Sequence, residues 1–561
     1  MTGAKALMEA LLHEGVDTIF GYPGGAITPV FDAMYDYMSK FHYVLTRHEQ
    51  GATHAAQGYA RVTGRPGVCI VTSGPGATNT ITGIGDAMMD STPLVVITGQ
   101  VAQSLLGTDA FQEIDMVGIT QPITKWSYQI RDAKEIAWAV ARAFYIAQSG
   151  RPGPVVLDFA KNAQIAEVDF EPERCQYIRS YFPVPEIDDN VINEAATLIN
   201  CSKRPLALVG HGVTIGGAEE ELKAFLEKAD IPAAWTMLGE SAMPSDYPLN
   251  KGMLGMHGNL GPNIKTNECD LLIAIGMRFD DRVTGDLSAY AKQAKVIHFD
   301  IDPSEIDKNV KTNVAILGNV KKTLPKVTEC MRAAKHTEWI ASFDEHAERE
   351  WNNVIKNDLH PTEGPLKMGE VVRKISDATN EEAVLVTDVG QNQMSAIRYF
   401  RFKNKRSVVT SGGAGTMGFG IPAAIGAKIG APDRTVCLFC GDGGFQMTMQ
   451  ELGTILQENK LGVKIIMLNN NYLGMVRQWQ ELFFGERYSS TPMVNPDFCQ
   501  IADAYGIRNA HVSTREELDK AIADMLSDDE AFLLVAECEE KGMIYPMTPA
   551  GKAVTNILLG D

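Results

Sequence analysis

No apolar run in this 561-residue sequence is long enough to cross a membrane. The opening stretch MTGAKALMEALLHEGVDTIFG reads as an amphipathic helix followed by a strand, and lacks the apolar core and cleavage site of a secretory signal. Cysteine is sparse: nine scattered residues form no disulfide framework. One CxxC occurs, Cys437 and Cys440 in CLFC, and no second pair completes a zinc site. It lies in a strand-like run, where alternation sets the two thiols on opposite faces, so a buried structural role is expected. Basic residues fall short of acidic ones, leaving a formal charge of -19. That disfavours nucleic acid and anionic membrane as main partners, and an anionic substrate must be drawn by local positive groups. There is no low-complexity segment. Together these absences imply a cytoplasmic protein.

What is present is a regular alternation. Short apolar runs recur with helical patterns between them: GVCIVTSG, PLVVITG, GPVVLDFA, RPLALVG, LLIAIG, KVIHFDID, AVLVTDVG, RTVCLFCGDGG, VKIIMLNNN and AFLLVAE. Continuous apolar strands with helical crossovers mean buried parallel sheets, hence an α/β fold of doubly wound parallel-sheet domains. The length implies about three or four domains, and two stretches divide it. Residues 169–189 are proline-rich and polar. Residues 335–366 hold a charged helix and then a proline–glycine turn. The expected domains are 1–170, 190–335 and 365–540, with a tail at 541–561. The first and third both open with a helix leading to a strand, which hints at duplication, although no sequence repeat is convincing.

Three stretches carry chemistry. TRHEQGATHAAQGYAR holds His48, Glu49 and His54. The histidines are six apart, roughly 240° around a helix, so they cannot share a metal. Ala52, Ala55, Ala56 and Tyr59 are left for burial, and Glu49 sits near a helix start, where the dipole favours a carboxylate. In CGDGGFQMTMQELGTILQENKLGVKIIMLNNNYLG, strand, glycine-rich loop, helix, strand and Asn-rich loop follow in order. A right-handed βαβ unit puts both loops at one sheet edge, so Asp442 and Asn469–Asn471 are neighbours. A carboxylate plus an amide carbonyl suits magnesium. Gly441 and Gly443 let the backbone approach a diphosphate. Finally, ALVGHGVTIGGAEEE is a strand, glycine turn and helix able to take a phosphate, without the full dinucleotide fingerprint.

GDG followed by NN resembles the motif of thiamine-diphosphate enzymes. More narrowly, GYPGGAITPVFD, TSGPGATN, GTDAFQE, RPGPVVLDFAKN, GMRFDDRVTG, GGAGTMGFGIPAAIGA and GMVRQWQELFF, in this order, resemble the acetohydroxyacid synthase (acetolactate synthase) catalytic subunit family along essentially the whole chain. That resemblance implies three domains of the thiamine-diphosphate type. It implies magnesium held by Asp442, Asn470 and the carbonyl of Tyr472, with Asn469 as the other candidate. It gives Glu49 the ring nitrogen of the cofactor's aminopyrimidine, so that the thiazolium carbon loses its proton.

The family joins pyruvate to a second pyruvate or to 2-ketobutyrate. Arg278 then holds the second carboxylate, and Trp479 packs on that acid and favours the longer one. Alone, Arg278 beside Asp280 and Asp281 would read as a surface ion pair, and Trp479 as a core residue. Met417 props the cofactor, and Gly415, Gly441, Gly443, Gly444 and Met475 lie along it. Gly25, Phe111, Gln112, Lys161 and Gln391 line the site or its approach. The central domain would bind FAD through or near Arg151, Gly210, Gly212, Met253, His257, Gly276, Arg278, Asp300 and Asn319. The resemblance further implies a homodimer or homotetramer and a small regulatory subunit.

Two departures stand out: QNQMS, with Asn392 and Ser395, replaces the common QHQMW, and Asn471 replaces a common basic residue. The alternatives are an FAD-dependent pyruvate oxidase, a flavin-free catabolic acetolactate synthase and a non-catalytic homologue.

Overall fold

The computed structural model describes residues 1–560. Its strands form three six-stranded sheets in which every named pairing is parallel. The first holds β1 (Thr18–Tyr22), β2 (His42–Leu45), β3 (Gly67–Val71), β4 (Leu94–Gln100), β5 (Trp126–Ile130) and β6 (Pro154–Ala160), ordered β2-β1-β3-β4-β6-β5. The second holds β7 (Pro205–Val209), β8 (Ala233–Trp235), β9 (Asn250–Met253), β10 (Leu271–Ile275), β11 (Lys295–Asp300) and β12 (Val314–Leu317), ordered β12-β11-β10-β7-β8-β9. The third holds β13 (Val384–Thr387), β14 (Val408–Val409), β15 (Val436–Cys440), β16 (Val463–Asn469), β17 (Arg508–Val512) and β18 (Phe532–Glu537), ordered β14-β13-β15-β16-β18-β17.

Numbered from its own first strand, the third sheet has the same order as the first. The duplication hinted at by the sequence is therefore present in topology. The central sheet instead has the dinucleotide-binding order, with a switch point between β7 and β10.

All ten apolar runs read from the sequence are strands. Of the strands they miss, β1 is the one read from the opening stretch, β2, β5, β9, β12, β14 and β17 are the sheet edges, and β8 has only three residues. The CLFC thiols divide as alternation requires. Cys437 packs with Leu385 and Phe439 on one face of β15, and Cys440 with Val436 and Leu438 on the other.

The first and third domains share one core. Helix Glu49–Thr63 follows β2, and helix Gly420–Gly430 holds the same place after β14; the two cross in direct contact. Ala52, Ala55, Ala56 and Tyr59 are buried in this joint core with Phe419, Ile421 and Ala424. The crossing depends on missing side chains. A Cβ on Gly58 would lie 2.0 Å from the Ala423 carbonyl oxygen, and one on Gly426 1.8 Å from that of Ala55. Residues 169–188 run without regular structure into helix Asp189–Cys201. The charged segment after residue 335 is a string of short helical pieces, Thr337–Ala341 to Lys356–Leu359.

Candidate active site

The strongest sequence signal folds as its spacing requires. β15 and β16 are neighbours, so the loops after them leave the same edge. Gly441 precedes helix Asp442–Thr448, which places Asp442 in its first turn. Asp442 is buried, and its Oδ2 accepts a hydrogen bond from Asn495 Nδ2 at 2.7 Å. Burial raises its pKa, and the Asn495 bond opposes the rise. Asn470 Nδ2 donates to Gln391 Oε1 at 3.0 Å, and Asn470 Oδ1 accepts from Tyr472 N at 3.4 Å. Asn469 turns elsewhere, donating to Glu537 at 2.8 Å.

Asn495 also donates to Asn469 Oδ1 and Asn471 Oδ1, tying the cluster together. It lies in MVNPDF, where no motif or period marked it. The carboxylate, the amide oxygen and the Tyr472 carbonyl are hard-oxygen donors suited to magnesium. The adjoining cradle is open because side chains are missing. A Cβ on Gly443 would come within 2.9 Å of Leu473, and one on Gly444 within 2.2 Å of Asp388 Oδ1.

A loop at 411–418 carries Gly415, at φ +64°, and Met417. Buried carboxylates hold its backbone. Asp90 accepts from Gly412 N and Gly413 N at 2.8 and 2.7 Å, and Asp388 from Gly418 N and Gly420 N at 3.1 and 3.0 Å. Asp90 also takes Arg61 Nη2 at 2.7 Å, so the last turn of helix Glu49–Thr63 is fastened to this loop.

A cavity of about 990 Å³ joins this edge to the central domain. On one side Gln391, Gly415, Met417, Gly441, Asp442, Gly443, Gly444, Asn470, Tyr472, Met475 and Trp479 line it. On the other are Arg151, Gly212, Met253, His257, Gly276, Arg278, Asp300 and Asn319. Gly210 is not in the wall. It packs against Gly276 and Met277, where its Cβ would lie 2.4 Å from each neighbour, and its part is to let β7 turn beside β10.

His257 is buried, and burial pushes its pKa down to about 4, so it is neutral. Arg151 is held by Ser91 at 2.8 Å and Glu305 at 2.6 Å. Arg278 donates to Met89 O at 3.1 Å and lies 3.5 Å from Asp280. In helix Gly474–Phe483, Arg477 and Gln478 point inward and hold the backbone at 541–544, and Trp479 borders the cavity. Asn392 also borders it, with its buried Oδ1 unpartnered; Ser395 is buried.

The remaining predicted residues do not reach this cavity. Glu49, Gly25, Phe111, Gln112 and Lys161 gather at the C-terminal edge of the first sheet. Glu49 is the first residue of its helix, capped by His48, whose Nδ1 accepts from Gln50 N at 3.1 Å. Its Oε2 accepts from Asn79 Nδ2 at 3.0 Å, a partner hidden in TSGPGATN. Lys161 Nζ donates to Gly25 O at 3.2 Å. Gln112, at φ +61°, packs on Gly74, and Phe111 is 88% exposed. His54 is buried edge-on against Phe419, and burial pushes its pKa down to about 3. The two histidines thus have separate structural roles.

Two like domains around a dinucleotide-type domain, with an oxygen cage beside a glycine cradle, define an enzyme that grips a diphosphate cofactor through a cation. Comparison with known proteins agrees. The models for the N-terminal TPP binding, central and C-terminal TPP binding domains of thiamine pyrophosphate enzymes match residues 1–119, 192–327 and 388–536. The acetolactate synthase isozyme 2 large subunit of Escherichia coli is 43% identical, covering 100% of this chain and 99% of its own. The acetolactate synthase large subunit of Lactococcus lactis is 42% identical, over 98% and 95%. A probable acetolactate synthase large subunit of Methanocaldococcus jannaschii is 43% identical, over 100% and 95%. The chain belongs to the acetolactate synthase large-subunit family of thiamine pyrophosphate enzymes.

Proposed function

We propose that the chain decarboxylates pyruvate and joins the two-carbon unit to a second pyruvate, giving 2-acetolactate, or to 2-ketobutyrate, giving 2-aceto-2-hydroxybutyrate. The observation that carries this reading is the single cavity running from the Asp442 cage to the central domain, with Arg278 and Trp479 in its wall. Bound thiamine diphosphate supplies the carbon nucleophile and the electron sink for decarboxylation. Asp442, Asn470 and the Tyr472 carbonyl hold its magnesium; Gly441, Gly443 and Gly444 admit its diphosphate; Met417 supports it. Arg278 pairs with the carboxylate of the second keto acid, and Trp479 contacts its alkyl end. The central half, with Gly212, Gly276 and His257 in its wall, would hold FAD, without a redox part in the main reaction.

Glu49 takes and returns a proton at the cofactor's ring nitrogen. In one chain it lies outside the cavity, about 18 Å along the helix from Arg61, which borders it. We therefore place it in the cavity of a second copy, making a homodimer the minimal active unit. The exposed Phe111 beside one half-site and Val494 beside the other suit faces that a second copy covers. Domain boundaries near 170–190 and 335–365, a small regulatory subunit and a cytoplasmic setting complete the proposal. All nine cysteines are unpaired, which suits a reducing compartment. The test is to feed purified protein pyruvate, alone and with 2-ketobutyrate, omitting thiamine diphosphate, magnesium and FAD in turn. Absence of 2-acetolactate from the complete mixture overturns the reading.

A further inference from the structure

We infer that Glu451 is a positioning residue for Glu49, fixing the start of helix Glu49–Thr63 from the third domain. This rests on the proposed proton-transfer role of Glu49. Glu451 follows helix Asp442–Thr448 in the short turn Met449–Glu451 and is fully buried. Its two carboxylate oxygens each lie 3.1 Å from Arg47 N, and the His48 N–H also donates to it. Thr454 Oγ1 donates to Oε2 at 2.7 Å. The carboxylate therefore binds the backbone of the two residues immediately before Glu49, where N–H groups point out of the helix and lack partners within it.

The contact is close on the next turn too. A Cβ on Gly51 would lie 2.4 Å from Glu451 Oε1. Arg47 fixes the same junction with its side chain, donating to Gly453 O at 3.0 Å and Gln457 Oε1 at 2.8 Å. The Glu49 backbone is thus tied to the third domain of its own chain, although its carboxylate serves the other copy's cavity. One short segment, Asp442 to Glu451, then supports both sites: its start holds the metal of one, and its end aims the proton-transfer group of the other. Sub-ångström aim matters, because a 1 Å misplacement costs on the order of 10²-fold in rate.

The test uses the assembled enzyme loaded with thiamine diphosphate and magnesium. Deuterium exchange at the thiazolium carbon is followed by NMR, and cofactor affinity is measured separately. Glu451→Gln replaces an acceptor with a group that partly donates toward the Arg47 and His48 N–H groups. Gly51→Ala pushes the carboxylate aside without removing it, and carries the test if Glu451→Gln does not fold. Each is expected to slow exchange by at least about 10-fold, with cofactor affinity held within about 3-fold. His42→Ala breaks the nearby exposed pair with Glu458 between the same domains, and is expected to leave exchange unchanged. Exchange at the wild-type rate in both Glu451→Gln and Gly51→Ala overturns the inference, as does a loss matched by equal loss of cofactor binding. A Glu49→Gln enzyme that exchanges normally overturns the proton-transfer reading instead.

Discussion

The first and third domains share a strand order and differ in what they do with the same sheet edge. In the third, the edge is a polar cage: Asn495 ties Asp442 to Asn469 and Asn471, and Asp442 and Asn470 border the cavity. In the first, the edge faces outward, with Phe111 exposed and the Glu49 carboxylate hydrogen-bonded to Asn79. One topology thus yields edges of opposite character, a caged one and an open one, to which we assign a cofactor's charged end and its ring respectively. The lesson is that strand order fixes where an edge lies, while the loops decide its chemistry.

That contrast can be broken by substitution. The largest effect is expected at Glu49. Glu49→Gln should retain diphosphate and magnesium binding while losing acetolactate formation by about 10²- to 10⁴-fold, the usual range for a lost proton-transfer group. Near-normal turnover would remove the first domain's edge from the chemistry.

Next comes a buried carboxylate that only the first sheet carries in its sixth strand. Asp158 accepts from Thr98, Gln100 and Gln129, whereas β18 is apolar from Phe532 to Ala536. Burial pushes Asp158 up to about 6 from 3.8. Between those values the folded protein holds a proton that the unfolded chain has released. This group's contribution to stability therefore falls as pH rises from about 4 to about 6, and stays lower above. Asp158→Asn should remove that slope, gaining on the order of 3 kcal/mol at pH 7 relative to pH 4. Urea unfolding of both proteins at the two pH values measures it.

A smaller effect is expected where the two domains meet. Gly426→Ala should cost about 2 kcal/mol by forcing the crossing helices apart, read as a lowered Tm. The smallest concerns the cage. Asn495→Ala removes the donor to Asp442, and should weaken magnesium binding about 10-fold by calorimetry while leaving the Glu49 edge intact.

Much of this contrast was legible in the sequence, for identifiable reasons. Central strands are buried on both faces and read as unbroken apolar runs, while edge strands such as β5 and β17 mix polar residues and escape notice. The Asp442 cage was legible because one βαβ unit supplies most of it. The role proposed for Glu49 comes only through resemblance, since the cavity it would serve is lined by residues far from it in the sequence. Asn495, Asn79 and Glu451 were not legible at all. Each works through a contact that only the folded chain creates, and amide or carboxylate side chains in loops carry no periodic signature.

The shared core has a consequence for synthesis. The face of helix Glu49–Thr63 that receives helix Gly420–Gly430 cannot be covered until the later helix leaves the ribosome. At about 5–20 residues per second that wait is roughly 20 to 70 s. Through that interval a nascent first domain presents Ala52, Ala55, Ala56 and Tyr59 unpaired. A chaperone that binds small apolar helix faces would find its target there, and would be displaced when the end of the chain arrives.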